Sequence, residues 1–395
     1  MKKLLTDLKE EDMKQVLMLA SVASMIDQFN MPNIALLQKL GYHVDVACNF
    51  EQGNTCSDAR VAELKSKLRE MNVRCYQIDF ARNIKCIGQN IKAYQQVKKL
   101  MEQNHYVFCH CHSPIGGVVA RIAGHRTKTK VIYTAHGFHF YQGAPVMNWL
   151  VYYPVEKMLS RWTDVLITIN QEDYKRAESK FRMKKLVYVP GVGVDVTNDK
   201  LTKLQKEKKR TELGIPQEAF WILNVAEFTL NKNQITEIKA INNLNDSNVY
   251  LTMCGIGTKK EELEEYVQQH NLGKRVKFLG FRSDIQELME SSDCFMLSSF
   301  REGLSVALME SMAAGCPVIC SKIRGNVDLI DDGIGGTLVK PESVDEHVKA
   351  IEYMKTMKEN NYEKYLSMGL VNKRKIEKFS AGNVKKIMVV VYGSM

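Results

Sequence analysis

The chain has 395 residues, of which 45% are hydrophobic and 25% charged, with a formal net charge of +10. Its length predicts two or three globular domains of about 100–200 residues, each able to fold without disulfides or metals. No apolar run approaches the roughly 20 residues of a spanning helix, so we expect no membrane-crossing segment. Lys2 and Lys3 lead into acidic residues, which argues against an export signal, and the ten cysteines lack a secreted spacing. We therefore expect a cytoplasmic protein with reduced thiols.

The positive charge is concentrated in the first half. Residues 1–190 hold 27 Lys and Arg against 17 Asp and Glu, whereas residues 191–395 hold 28 of each. A basic half predicts attraction to an anionic membrane or substrate. Ordinary solvated helix faces explain the same charge equally well. Nucleic acid is not an expected partner, because no basic run is interleaved with aromatic residues.

Short apolar runs alternate with amphipathic stretches through the first half, which is typical of βαβ units with a parallel sheet. The predicted strands are Gln15–Ala20, His43–Cys48, Val73–Ile78, Val107–His112, Lys130–Thr134, Val165–Thr168 and Leu186–Val189. The predicted helices include Met31–Leu40, Asp58–Met71, Ile87–Asn104, Gly116–Gly124 and Val146–Ser160.

A break at Pro190-Gly191-Val192-Gly193 and a charged helix, Lys200–Leu213, separate this half from a second one. The alternation then restarts with strands Trp221–Val225, Val249–Cys254, Val276–Leu279, Cys294–Leu297 and Val318–Cys320. The sequence therefore predicts an α/β protein of two Rossmann-like, doubly wound domains facing a cleft, at 1–190 and 191–378. In such sheets ligands bind beyond the carboxyl ends of the strands.

Three loops of the first half follow predicted strands. The first is Ser21–Phe29, and the second opens a helix with Ser113-Pro114-Ile115-Gly116-Gly117, where glycine leaves room for a ligand. The third is Ala135–Tyr141, in which His136 precedes a glycine and lies among aromatic residues and a second histidine. His136 is therefore placed to face the cleft.

Cys109-His110-Cys111-His112 has the residue types of a zinc site. Alternation along a strand sends the cysteines to one face and the histidines to the other, so the four cannot converge on one tetrahedral ion. No metal is therefore predicted.

The most informative stretch of the second half is Ser298–Ser305, continuing to Pro317. A strand ends, the chain turns at Gly303, and a helix begins at Ser305, whose amino end is suited to a diphosphate. Glu302 lies in the loop and Glu310 about two turns further on, so both carboxylates can line one cleft and accept sugar hydroxyls. Two solvated carboxylates are the alternative.

This stretch resembles the GT4 family of glycosyltransferases, which have the GT-B fold, in the signature E-G-[FL]-[SP]-x4-E-[AS]-[ML]-A-x-G-x-P-V. The matching residues are Glu302, Gly303, Leu304, Ser305, Glu310, Ala313, Gly315, Pro317 and Val318. The resemblance implies that Glu310 binds the donor ribose and Glu302 the donor sugar. It also implies that the backbone at Gly303 and Leu304, beside the helix start at Ser305, holds the phosphates or the sugar.

Other loops of the second half fall where this family is expected to bind its donor. Lys232 matches the phosphate-binding lysine, but Glu227 stands where many members have an arginine, as in a branch resembling capsule and exopolysaccharide enzymes. Gly255 and Gly257 fit a G-x-G turn near the nucleotide, and backbone groups at Phe281 and Arg282 are placed to meet a base edge.

In the first half, the resemblance makes His136 the active-site histidine, contacting the donor sugar or the transition state. The first loop lacks the Gly-Gly pair of many relatives, which again resembles the capsule branch. The residues we expect on the acceptor side are Ser24, Asp27, Ser113, Gly116 and His139. As in relatives, residues 379–395 are expected to return to the first domain.

The predicted activity is retaining transfer of a sugar from a nucleotide diphosphate donor, with a UDP-sugar favoured by analogy, and with no metal or cofactor. The expected acceptor is a saccharide or a polyprenyl-linked saccharide at the inner face of the cell membrane, which the basic first half would contact. A nucleotide-sugar epimerase and a catalytically silent binding subunit remain alternatives, the second because of Glu227. An oxidoreductase is not supported, since no full G-x-G-x-x-G is present.

Overall fold

The computed structural model describes residues 14–81, 83, 86–196 and 201–395. Two predictions fall outside them, namely the charge pattern from Lys2 to Asp12 and the start of a helix at Lys200. The chain divides into two compact units. The first runs to Val189 and also includes Val384–Met395, and the second is Pro190–Asn383.

The first unit is built on a parallel sheet of seven strands in the order β3-β2-β1-β4-β5-β6-β7. The strands are β1 (Gln15–Val22), β2 (His43–Asn49), β3 (Arg74–Gln77), β4 (Phe108–His112), β5 (Lys130–Ala135), β6 (Val165–Thr168) and β7 (Lys185–Tyr188). The order reverses at β1, so the loops leaving β1 and its neighbour β4 run in opposite directions and open a crevice between them.

Helices cover both faces of this sheet. They are α1 (Ala23–Phe29), α2 (Met31–Lys39), α3 (Asp58–Glu70), α4 (Ile87–Asn104), α5 (Pro114–Thr127), α6 (Val146–Leu159), α7 (Gln171–Lys180) and a 3-10 turn η1 (Ser160–Trp162). Val16 and Met18 of β1 lie in one apolar core, and Leu17 and Leu19 lie in another on the opposite face. Burial on both faces explains why β1 is almost continuously apolar.

The second unit has a parallel sheet of six strands in the order β10-β9-β8-β11-β12-β13. The strands are β8 (Phe220–Val225), β9 (Val249–Cys254), β10 (Val276–Gly280), β11 (Cys294–Leu297), β12 (Val318–Ser321) and β13 (Gly336–Val339). The helices are α8 (Lys203–Glu212), α9 (Gln234–Asn243), α10 (Lys260–Gln269), α11 (Ile285–Ser291), α12 (Val306–Ala314), α13 (Asn326–Leu329), α14 (Val344–Asn360), α15 (Tyr362–Ile376) and η2 (Glu377–Phe379). The two parallel sheets confirm the predicted α/β fold class.

The last helix, α16 (Ala381–Gly393), begins in the second unit and ends in the first. Its Tyr392 ring stacks on Phe108 with centroids 5.9 Å apart, and its hydroxyl hydrogen bonds to His110 Nδ1 at 2.9 Å. The chain joins the first unit at Val384, later than the predicted residue 379. Residues before it stay with the second unit because the Val194 N–H donates to the Phe379 carbonyl at 3.1 Å.

One predicted loop is wrong. The segment Ser21–Phe29 was expected to be irregular, but β1 continues to Val22 and α1 follows at once. Val22 makes no side-chain cap for this helix. The helix is therefore held by burial of residues such as Ala23 and Ile26 and not by a capping signal readable from sequence.

Candidate functional site

In the second unit, the order of the strands reverses between β8 and β11, and the candidate residues lie in the loops that leave these two strands. We call Ala226–Asn233 the β8 loop and Ser298–Ser305 the β11 loop. Three hydrogen bonds to backbone carbonyls join them: the Phe300 N–H donates to the Asn231 carbonyl at 2.8 Å, Asn231 Nδ2 to the Arg301 carbonyl at 3.0 Å, and Asn233 Nδ2 to the Ser298 carbonyl at 3.1 Å. The two loops thus form one bonded layer.

Lys232 and Glu302 pair across this layer. Lys232 Nζ donates to Glu302 Oε1 at 2.6 Å, and the side chains are 24% and 11% exposed. The sequence predicted separate partners for them, a phosphate for the lysine and a sugar for the glutamate. In the structure each is the other's partner, so an anionic ligand that takes up the ammonium must compete with, or share, this ion pair.

The β11 loop ends at the amino end of α12. The Ser305 side chain caps this helix by accepting a hydrogen bond from the Leu308 N–H at 3.3 Å. The first N–H groups of a helix lack intrahelical partners and carry the positive end of its dipole. Leu304 is buried and anchors the loop. A Cβ at Gly325, after β12, would lie 2.4 Å from the Gly303 carbonyl oxygen, so a third loop approaches this turn closely.

Glu310 lies in the second turn of α12 and is half-buried. Burial raises the pKa of its carboxyl above the ordinary value. Within the described residues, its carboxylate has no hydrogen bond or ion pair. A half-buried carboxylate without a partner is costly to retain, and it is able to accept two hydroxyl groups from a ligand.

The remaining predicted residues of this unit lie around the β8 loop. A Cβ at Gly255 would lie 2.0 Å from the Ala226 carbonyl oxygen, and one at Gly257 would lie 2.3 Å from the Phe228 carbonyl oxygen, so only glycine allows this contact. The carboxylate of Glu227 is exposed.

Phe281 and Arg282 follow β10, whose last residue Gly280 accepts a hydrogen bond from the Gly255 N–H at 2.8 Å. The Phe281 side chain is 81% exposed. The Arg282 guanidinium donates twice to Asp284, at 2.8 and 2.6 Å. Because Asp284 holds this guanidinium, the backbone groups near Arg282 are more available to a ligand than its side chain is. The prediction from the sequence also used these backbone groups.

Sequence reasoning missed Glu237, which is fully buried in α9 beneath the β11 loop. Its Oε1 accepts hydrogen bonds from the Ser298 N–H at 3.1 Å and Asn224 Nδ2 at 3.0 Å, while no described residue bonds its Oε2. Burial raises the pKa of this carboxyl to about 8. The only sequence signal was a glutamate beside Ile238 in a helix whose later positions, Ala240 and Ile241, are apolar.

In the first unit, Ser113 and Gly116 meet at the corresponding crevice between β1 and β4. Ser113 Oγ lies 2.6 Å from Ser21 Oγ, which also accepts from the Gly116 N–H at 3.1 Å. Ser113 has φ 66° and ψ 154°, a region that is rare for residues other than glycine. Such strain often occurs at functional sites. Ser21 was not among the predicted residues.

The other acceptor-side candidates have partners of their own. Ser24 is buried, and its hydroxyl accepts from the Thr55 N–H at 3.4 Å. Asp27 forms a two-bond ion pair with Arg60, at 2.8 and 3.0 Å. The His139 ring stacks on Tyr152 with centroids 4.5 Å apart.

His136 follows β5 and is half-buried, and burial lowers its pKa to about 4. Its Nε2 lies 3.0 Å from His112 Nδ1. Cys109 and Cys111 point into the core on the other side of β4 from His110 and His112. Among the described residues, no group of three or more His, Cys, Asp or Glu side chains is arranged to hold a metal ion. No helix within the described ranges of either unit has the length and apolarity needed to span a bilayer.

Comparison with known proteins identifies the family of the chain. Residues 205–368 match the family described as Glycosyl transferases group 1, and residues 15–170 match Glycosyl transferase 4-like. A protein of Bacillus subtilis (strain 168) described as the glycosyltransferase EpsD is 35% identical over 334 residues, covering 83% of this chain and 84% of that protein.

Two further similarities agree with it. An Escherichia coli enzyme named UDP-Gal:alpha-D-GlcNAc-diphosphoundecaprenol alpha-1,3-galactosyltransferase is 29% identical over 279 residues, covering 68% of this chain and 71% of the enzyme. The crystal structure of Anabaena HepE in complex with UDP and glucose shares the fold, with a TM-score of 0.76, 19% identity, and coverage of 97% of this chain and 100% of that one. The chain therefore belongs to the GT4-like, group 1 glycosyltransferases of the GT-B fold.

Proposed function

We propose that this glycosyltransferase transfers a sugar, with retention of configuration, from a UDP-sugar to a saccharide or lipid-linked acceptor in exopolysaccharide or capsule synthesis. The observation that carries the proposal is the arrangement at the β8–β11 crevice. There the Lys232–Glu302 ion pair joins the β8 and β11 loops, the β11 loop leads into the amino end of α12, and the second turn of that helix carries the Glu310 carboxylate. An anion bearing hydroxyl groups is the ligand that matches this set.

The second unit binds the donor in this proposal. The diphosphate lies at the amino end of α12, against the backbone of Gly303, Leu304 and Ser305, and draws Lys232 away from Glu302. Glu310, which has no partner of its own among the described residues, accepts the two ribose hydroxyls. Glu302, released from the lysine, accepts a hydroxyl of the donor sugar. The close-packed turn at Gly255 and Gly257 and the backbone at Phe281 and Arg282 adjoin the nucleotide.

The reaction needs no enzymic base. The bond between the sugar C1 and the phosphate oxygen breaks, Lys232 and the helix dipole stabilise the developing charge on the phosphate, and the acceptor oxygen forms its bond to C1 on the same face. The acceptor proton passes to the leaving phosphate oxygen. Neutral His136, whose pKa is low, offers the sugar a hydrogen bond without adding a positive charge. Neither a metal nor a cofactor takes part in this scheme.

The donor and acceptor classes are supported by the relatives. The E. coli enzyme is named for a UDP-Gal donor and a diphosphoundecaprenol-linked acceptor, and the HepE crystal contained UDP. A lipid-linked acceptor would bring this chain to the inner face of the cell membrane, where the excess positive charge of residues 1–190 would be attracted. On the acceptor side we assign Ser24, Asp27, Ser113, Gly116 and His139.

The test is a panel of UDP-, GDP- and ADP-sugars, assayed for binding, slow hydrolysis and the anomeric configuration of the released or transferred sugar. We expect one UDP-sugar to be selected and the α-configuration to be kept. Inverted configuration would disprove retention. Conversion to an epimerised nucleotide sugar would favour the epimerase alternative, and binding without any turnover would favour the silent binding subunit that Glu227 keeps open.

A further inference from the structure

Helix α6 exposes an apolar surface. Six of its large apolar side chains are exposed, with Val146 at 72% and Leu150 at 64%, and the set comprises Val146, Met147, Leu150, Val151, Val155 and Met158. At 3.6 residues per turn these residues, with Pro154, share one half of the helix, which we call the α6 outward face. On the opposite half, Trp149 and Tyr153 pack on the core and Leu159 is fully buried.

The charges on this surface are all positive. Lys157 and Arg161 are exposed and lie on the outward side at the carboxyl end of the helix and in the following turn. The single acidic residue from Gln142 to Thr163 is Glu156, which is buried and paired with Arg121 at 2.7 Å. The α6 outward face therefore carries apolar and basic groups and no exposed carboxylate.

We propose that the α6 outward face docks on an anionic lipid bilayer. An exposed apolar half-helix about 21 Å long with only cationic charges has the composition of a helix that lies in the membrane interface. A protein partner would need matching polar groups at its rim, and this face offers few. The inference rests on the proposed function only for the role of docking, since the enzyme would meet a lipid-linked acceptor at the membrane.

The test is flotation of the full-length protein with vesicles of phosphatidylcholine, with and without phosphatidylglycerol. We expect binding that requires phosphatidylglycerol. Leu150→Glu should weaken partitioning at least tenfold, and removal of each charge, by Lys157→Gln or Arg161→Gln, about fivefold. Leu204→Glu, at a 74% exposed leucine in α8, is the matched control and should bind like wild type.

The failure of this inference is separable from failure of the donor proposal, because UDP titration of the same variants reports on the donor site alone. Equal vesicle binding by Leu150→Glu and wild type would overturn the docking surface even if UDP binds. Absence of wild-type vesicle binding, with concentration-dependent dimers that Leu150→Glu abolishes, would assign the face to a second copy of the chain instead.

A separate observation concerns how His136 is held. His112 is fully enclosed, its Nδ1 lies 3.0 Å from His136 Nε2, and its Nε2 has no hydrogen-bond partner among the described residues. One of the two facing nitrogens must carry the proton. If His136 donated, His112 would carry its own proton on Nε2, leaving a buried N–H without an acceptor, which proteins rarely tolerate. If His112 donates from Nδ1, its Nε2 is only an unfilled acceptor.

We infer that His112 is a positioning residue that fixes His136 in the tautomer with its proton on Nδ1. His136 then presents a hydrogen-bond donor to its ligand, because its Nε2 lone pair is already used. This inference rests on the proposed function only for the identity of that ligand, the reacting sugar. The tautomer itself is a property of the free protein.

The test is a two-bond proton–nitrogen NMR spectrum of protein labelled in histidine, with His136 assigned by its loss in His136→Asn. We expect His136 of wild type to be protonated at Nδ1. His112→Asn, which supplies an amide N–H near the former Nδ1, should keep that tautomer, and His112→Leu should lose it and lower turnover on the order of tenfold. A wild-type His136 protonated at Nε2 would overturn the inference without bearing on donor binding.

Discussion

Replacing the buried Glu237 by glutamine is expected to stabilise the protein at neutral pH. Burial raises the pKa of Glu237 from 4.5 to about 8. Between about pH 4.5 and pH 8, the folded state therefore keeps a proton that the unfolded chain has released. Because the folded pKa is the higher one, the wild-type free energy of unfolding is greatest below this window and falls as the pH rises through it.

The magnitude follows from the two pKa values. One pKa unit corresponds to about 1.4 kcal/mol, so the raised pKa of Glu237 costs the fold about 3 kcal/mol at pH 7 and about 5 kcal/mol above pH 8. Glutamine has the shape of the neutral carboxyl and does not titrate. The stabilisation by Glu237→Gln should therefore be close to zero near pH 4.5 and grow by about 1.4 kcal/mol per pH unit up to pH 8.

The assay is urea unfolding at several pH values across this window, followed by the fluorescence of Trp221, which is fully buried in the second unit. Other titrating groups cancel when the variant is subtracted from wild type. Glu265→Gln, at an exposed position in α10, serves as the control and should give a flat difference. A flat difference for Glu237→Gln as well would refute the claim that a neutral carboxyl supports the β11 loop.

Three further changes test the site. Lys232→Met should lower turnover on the order of a hundredfold or more in steady-state assays while leaving the fold intact, because the leaving phosphate loses its cation; unchanged turnover would remove the lysine from the mechanism. Glu302→Gln should tighten UDP binding in calorimetric titrations, since Lys232 is freed from its 2.6 Å ion pair, yet lower turnover, and weaker UDP binding would contradict this. Gly257→Ala should destabilise the protein by about 1–3 kcal/mol in thermal unfolding, because the added Cβ would lie 2.3 Å from the Phe228 carbonyl oxygen. Gly273→Ala is the control and should change stability by less than about 1 kcal/mol, because no atom lies within 4 Å of its added Cβ.

The elements that sequence predicted best are those with the clearest periodicity. The strands Val249–Cys254 and Cys294–Leu297 and the helix Ile87–Asn104 have the predicted bounds, because their apolar runs are bounded by polar or glycine-containing segments. Strand β13, Gly336–Val339, was not predicted, since four residues that include glycine and threonine give little pattern.

Only part of the candidate site could be predicted from the sequence. Motif spacing identified Lys232 and Glu302 separately, but their pairing joins residues 70 positions apart and depends on the loops of β8 and β11 meeting. The burial of Glu237 and His112 depends on which face of an element packs inward, which an isolated polar residue does not reveal. Periodicity describes a single element, whereas these contacts arise from packing between elements.

The central claim is that the second unit binds a uridine diphosphate donor through Glu310, and calorimetric titration of UDP into wild type and Glu310→Ala tests it most directly. The account predicts saturable binding by wild type that weakens roughly ten- to a hundredfold in the variant, as expected for loss of charge-assisted hydrogen bonds to ribose. Failure of wild type to bind UDP, or equal binding by the two proteins, would contradict it.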